Sequence, residues 1–100
     1  MSTFVLDVDY DEPDVTTYRG VLLRRSGDVV ASFSTGEPGP DFLAAFIAAT
    51  ALRNRGDTVL SSSSIGHFHQ DGAAQLPSRA VVAEACRLAA ECVSRIEGAS

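Results

Sequence analysis

Residues 40–56 read Pro-Asp-Phe-Leu-Ala-Ala-Phe-Ile-Ala-Ala-Thr-Ala-Leu-Arg-Asn-Arg-Gly, and from Phe42 to Leu52 the single polar residue is Thr50. A helix of that composition is apolar around most of its circumference and not along one stripe, so it needs cover on more than one side. Its ends are signalled too. Pro40 suits the first helical position, Asp41 sits where the helix dipole is positive, Arg53 and Arg55 fall in the last turn, and Gly56 is a stop signal. This segment is the expected centre of the packing, with Phe42, Leu43, Phe46, Ile47 and Leu52 as its buried side chains. Burying all five contributes roughly 10 kcal/mol, against a chain entropy on the order of 100 kcal/mol or more. Strands and a second helix, or a partner subunit, must therefore supply the rest.

The flanking sequence contains such elements. Residues 3–8 alternate, with Phe4, Leu6 and Val8 on one face and Val5 and Asp7 on the other. Residues 18–25 and 28–34 read as two further strands joined through Arg25-Ser26-Gly27-Asp28, a hairpin signal. Residues 34–40, dense in Gly and Pro, punctuate the chain before the helix. Residues 57–64 read as a fourth strand, and a strand reached through a helical crossover is expected to lie parallel to an earlier one. Residues 65–77 read either as its continuation or as a loop around Asp71-Gly72. Ser78 is a plausible cap for a second helix reaching about Glu97. Val81, Ala85, Leu88, Cys92 and Ile96 form its buried stripe, and Glu84, Arg87, Glu91 and Arg95 its wet face. The expected architecture is α/β (α+β), one domain over residues 1–100, in the order β-β-β-α-β-α, with a mixed four-stranded sheet packed against two helices.

Composition narrows the function classes. With 45% hydrophobic residues the chain belongs with globular proteins. No apolar run approaches the roughly 18 residues of a membrane span, and the N-terminus lacks the pattern of a signal peptide, so a cytoplasmic protein with no membrane partner is expected. The net charge is −5, and all eight basic residues are Arg. An acidic domain disfavours general nucleic-acid binding, although Arg19, Arg24 and Arg25 on one strand offer a local patch for a phosphate backbone. Cys86 and Cys92, six apart on a helix, point in different directions and cannot pair; both read as small buried hydrophobes.

Three constellations bear on chemistry. Asp7, Asp9 and Asp11 alternate, so an extended chain projects them to one side, where they can share a divalent cation; the same run also reads as a solvated acidic turn. The glycine and distal glutamate of a calcium loop are missing. His67 and His69 are spaced to share one strand face as a metal pair, with Asp71 as a third ligand, or to serve as surface or hydrogen-bonded packing residues. Residues 61–64 are four serines near these histidines, without the glycine-flanked elbow of a nucleophile. Gly36 and Gly39 match neither a dinucleotide fingerprint nor a P-loop.

Several stretches resemble the ribonuclease H family. Val5-Leu6-Asp7-Val8-Asp9 is similar to its acidic first strand, and Tyr18-Arg19-Gly20-Val21-Leu22-Leu23-Arg24 to its second. Residues 26–34 are similar to the turn and third strand, residues 41–49 to the helix that opens with a catalytic glutamate, and Val59-Leu60-Ser61-Ser62-Ser63-Ser64 to the fourth strand. The likeness spans residues 3–64. It implies a two-metal site in which carboxylates hold Mg²⁺ for phosphodiester hydrolysis, with Asp7 or Asp9 as first-strand ligand and Asp41 in the place of the glutamate. Asp9 and Asp41 are then the catalytic pair, and Asp7, Asp9 and Asp41 the metal ligands. Ser63 stands where the family carries an aspartate, which removes a ligand and its charge. Glu84 is the remaining source of a late carboxylate, and Gly66-His67 is similar to a late glycine-histidine pair.

Two function classes follow. The first, favoured by the loss at Ser63, is a noncatalytic binding or regulatory module that either engages a partner or self-associates as a homo-oligomer, which would close its second sheet face. The second is a divergent Mg²⁺-dependent nuclease acting on RNA or an RNA–DNA hybrid. A hairpin followed by an apolar helix also resembles roadblock or profilin-like interaction domains, although roadblock domains open with a helix and residues 2–17 do not read as one.

Overall fold

The computed structural model describes residues 1–11, 14–34, 40–62 and 78–98. It is an α+β arrangement of β1 (Thr3–Asp11), β2 (Asp14–Arg25), β3 (Asp28–Phe33), α1 (Pro40–Asn54), β4 (Thr58–Ser61) and α2 (Arg79–Gly98). The four strands form one mixed sheet in the order β3-β2-β1-β4. β1 pairs antiparallel with β2 and parallel with β4, as the helical crossover requires.

The alternation in β1 sets the two faces of the sheet. Phe4, Leu6 and Val8 are buried with Val21, Leu23, Ala31, Phe33 and Val59, and the helices cover this face. Both first strands are longer than their apolar patterns suggest. β1 runs on through Asp9, Tyr10 and Asp11, and β2 begins at Asp14, because backbone pairing carries the polar residues across two register shifts after Asp9. β4 is shorter than residues 57–64, its strand ending at Ser61. The β2–β3 turn has positive φ at both central residues, 55° at Ser26 and 87° at Gly27, the geometry whose twist matches a hairpin.

α1 ends as its sequence implies. Gly56 has φ 105°, its N–H donates to the Arg53 carbonyl at 3.0 Å, and the Asp57 N–H donates to the Leu52 carbonyl at 3.0 Å. That pair of bonds is a Schellman motif. The helix contacts β2, β3, β4 and α2, so it is covered from more than one side. Its buried side chains differ from expectation. Leu52 is fully buried, but the rest of the seam is Asp41, Ala44, Ala45, Ala48 and Ala49, while Phe42, Leu43, Phe46 and Ile47 are half-buried flanks. Small residues let the backbones approach closely, and the large side chains fill in from the sides.

α2 meets this seam with its own small residues, Ala85, Ala89 and Cys92, plus Ile96. The Ser78 hydroxyl accepts the Val81 N–H at 3.2 Å and caps the helix. Cys92 is buried as expected, but Cys86 is exposed, since it follows Ala85 by about 100° around the helix and leaves the stripe.

Candidate functional site

The acidic residues of β1 project from the face opposite the helices. Leu6 and Val8 point into the core, so Asp7 and Asp9 between and after them point away from it. Asp7 is engaged locally. Its Oδ1 accepts the Val8 N–H at 2.9 Å, and its Oδ2 lies 3.8 Å from Nε of Arg24, two residues beyond its own partner Leu22 on β2. Asp9 is half-buried opposite Gly20. A side chain at Gly20 has no room, since its Cβ would stand 2.1 Å from the Phe33 carbonyl oxygen. Asp11 closes β1 beyond the register shifts.

Asp41 belongs to the other side. It is 1% exposed, in the first turn of α1 and within the seam that faces the core. Phe33 pairs with Val21, and Val21 with Val8, so β3 delivers the chain to α1 at the end of the sheet where Asp9 stands. Asp9 and Asp41 therefore share an end of the sheet and are divided by it. Among the described residues no three His, Cys, Asp or Glu side chains converge to hold a metal ion.

The remaining predicted site residues are dispersed or lie elsewhere. Ser63, Ser64, Gly66, His67, His69 and Asp71 fall outside the described residues. Ser61 is exposed and Ser62 half-buried. Glu84 pairs with Arg87, which also reaches Glu91 at 2.8 Å, forming a surface ladder on α2. The hydrogen bond from Arg87 holds the Glu84 carboxyl below its usual range. Arg24 and Arg25 of β2 make no common patch. Arg24 faces the open side with Asp7, whereas Arg25 lies 5.8 Å over the Phe4 ring on the helix-covered side.

Two features go beyond the sequence-derived candidates. Asp57, at the entry to β4, is buried and accepts the Ser2 N–H at 2.8 Å and the Arg55 Nε–H; Arg55 also lies 3.6 Å from Glu97. These bonds, the Ser2 N–H foremost, hold its carboxyl below the usual carboxylate range. The second feature is the open sheet face, where Val5, Val29 and Leu60 are 37, 48 and 54% exposed. No helix among the described residues is long and apolar enough to cross a membrane. No family model, curated protein or solved structure matches the chain.

Proposed function

We propose that the chain is a small cytoplasmic binding or regulatory module of ribonuclease H-like architecture that works without catalysis. The separation of the carboxylates carries this reading. Asp7 and Asp9 leave the sheet on the open face, and Asp41 is buried on the helical side. Two-metal hydrolysis needs carboxylates that converge on ions roughly 4 Å apart. Residues divided by a β-sheet do not supply that geometry, so Mg²⁺ has no part in this reading.

The architectural part is supported by the strand order β3-β2-β1-β4, with β4 returned parallel to β1 by α1. The open face presents aliphatic side chains beside charged ones, a composition suited to binding a protein surface.

The test is an RNA–DNA hybrid incubated with the protein and Mg²⁺ or Mn²⁺. The expected result is no cleavage above that of Asp9→Asn and Asp41→Asn, and no metal-dependent rise in melting temperature. Cleavage that both variants abolish would overturn the proposal.

A further inference from the structure

Among the described residues the sheet has one face covered by helices and one face with exposed aliphatic side chains, and both outer strands, β4 and β3, carry guards. The Thr58 N–H bonds to Ser2, just before β1, and the Ser62 N–H to Leu6, so the Val59 carbonyl, of the alternate parity, points to the outer edge of β4, where the Arg53 guanidinium donates to it. β4 is four residues long. At the other edge, β3 carries a bulge at Val30, between the Leu23–Ala31 and Arg24–Val29 pairs. Short edge strands, edge charges and bulges all discourage strand addition.

No described helix or strand covers the other face. Leu60, Val5, Arg24 and Val29 stand in one row across β4, β1, β2 and β3, with Asp7 and half-buried Leu22 in the next. We infer that this face is the contact between two copies of the chain, related by a twofold axis lying in the interface; the inference rests on the binding-module reading above.

Charge selects the second copy as the occupant. Asp7 and Arg24 are 38 and 36% exposed and 3.8 Å apart, longer than a good hydrogen bond. A twofold axis passing between them exchanges their positions. Asp7 of each copy then faces Arg24 of the partner subunit, and the contact is made twice. A partner surface of a single charge sign would meet one of the two favourably and the other unfavourably. Four strands about 4.8 Å apart and about six residues long give on the order of 400 Å² per copy, about half a standard interface. The dimer is accordingly weak.

Sedimentation equilibrium of the full chain from about 10 μM to about 1 mM is expected to give a monomer–dimer equilibrium. Leu60→Glu, at an exposed position, is expected to weaken association at least about tenfold; Val5→Thr, a smaller change, should weaken it in the same direction. Asp7→Arg alone and Arg24→Asp alone are each expected to lose self-association. Mixing these two variants should restore a dimer, because every cross-interface pair then has opposite signs. A parent chain that stays monomeric overturns the inference, as does a dimer that all four variants leave intact. A monomer that binds the apolar dye ANS, with binding lost in Leu60→Glu, assigns the face to a different partner and also overturns it. Failure here leaves the noncatalytic reading standing, whereas hybrid cleavage removes that reading whatever the association state.

Discussion

The Asp57 carboxylate accepts a hydrogen bond from the Ser2 main-chain N–H at 2.8 Å, joining positions 55 apart in sequence. The Thr58 N–H donates in turn to the Ser2 carbonyl at 3.0 Å, so the two residues form a clasp that begins the parallel β1–β4 ladder.

This clasp sets an acid limit on stability. Its Ser2 and Arg55 hydrogen bonds hold the Asp57 carboxyl below the usual carboxylate range. A depressed carboxyl contributes stability that is fully present above its unfolded value and is lost as pH falls through the folded value. The melting temperature of the parent chain should exceed that of Asp57→Asn at neutral pH, and the gap should narrow as pH falls through and below the usual carboxylate range. A gap independent of pH would remove the charge from the explanation.

Gly20 should tolerate no side chain. The Cβ of Gly20→Ala would stand 2.1 Å from the Phe33 carbonyl oxygen, and a backbone atom in a paired strand has little freedom to retreat. Overpacking of this kind costs about 1 to 3 kcal/mol, and urea unfolding should place the loss at about 2 kcal/mol or more. A change below about 0.5 kcal/mol would mean that the β2–β3 register yields easily.

The two thiols should differ sharply in reactivity. Cys86 is exposed, whereas Cys92 is 1% exposed and burial pushes its thiol above the usual range. Only the thiolate reacts, so one equivalent per chain should label rapidly in the native protein and the other only on unfolding. Cys86→Ser should abolish the rapid phase. Persistence of that phase would show α2 opening on the labelling timescale.

Much of the fold was legible because its signals are local. The limits of α1 rest on Pro40 and Gly56, the hairpin on Ser26-Gly27, and the faces of β1 on strict alternation. The parity of Phe4, Leu6 and Val8 also implies that Asp7 and Asp9 turn away from the helices, so the division between Asp9 and Asp41 follows from the apolar pattern. Resemblance in element order does not report this, because order is blind to which face a residue occupies. The seam of Ala44, Ala45, Ala48 and Ala49 was not legible. An all-round apolar helix does not say from which side its neighbours arrive, and burial by type favours Phe42 and Phe46, which here are only flanks. Asp57 escaped for a related reason, since its partner Ser2 is close in space alone.

The position of β1 between a local and a distant partner also orders events in time. β2 follows β1 directly in the chain, but β4 arrives only after α1 has carried the chain back, and longer loops close more slowly. Pulsed hydrogen exchange during refolding should therefore protect the β1–β2 hairpin before β4. Until then one side of β1 is an unfinished edge, open to another chain. Docking of β4 closes that side over Thr3–Leu6, and the clasp of Asp57 on Ser2 fixes the first pair of the ladder that does so.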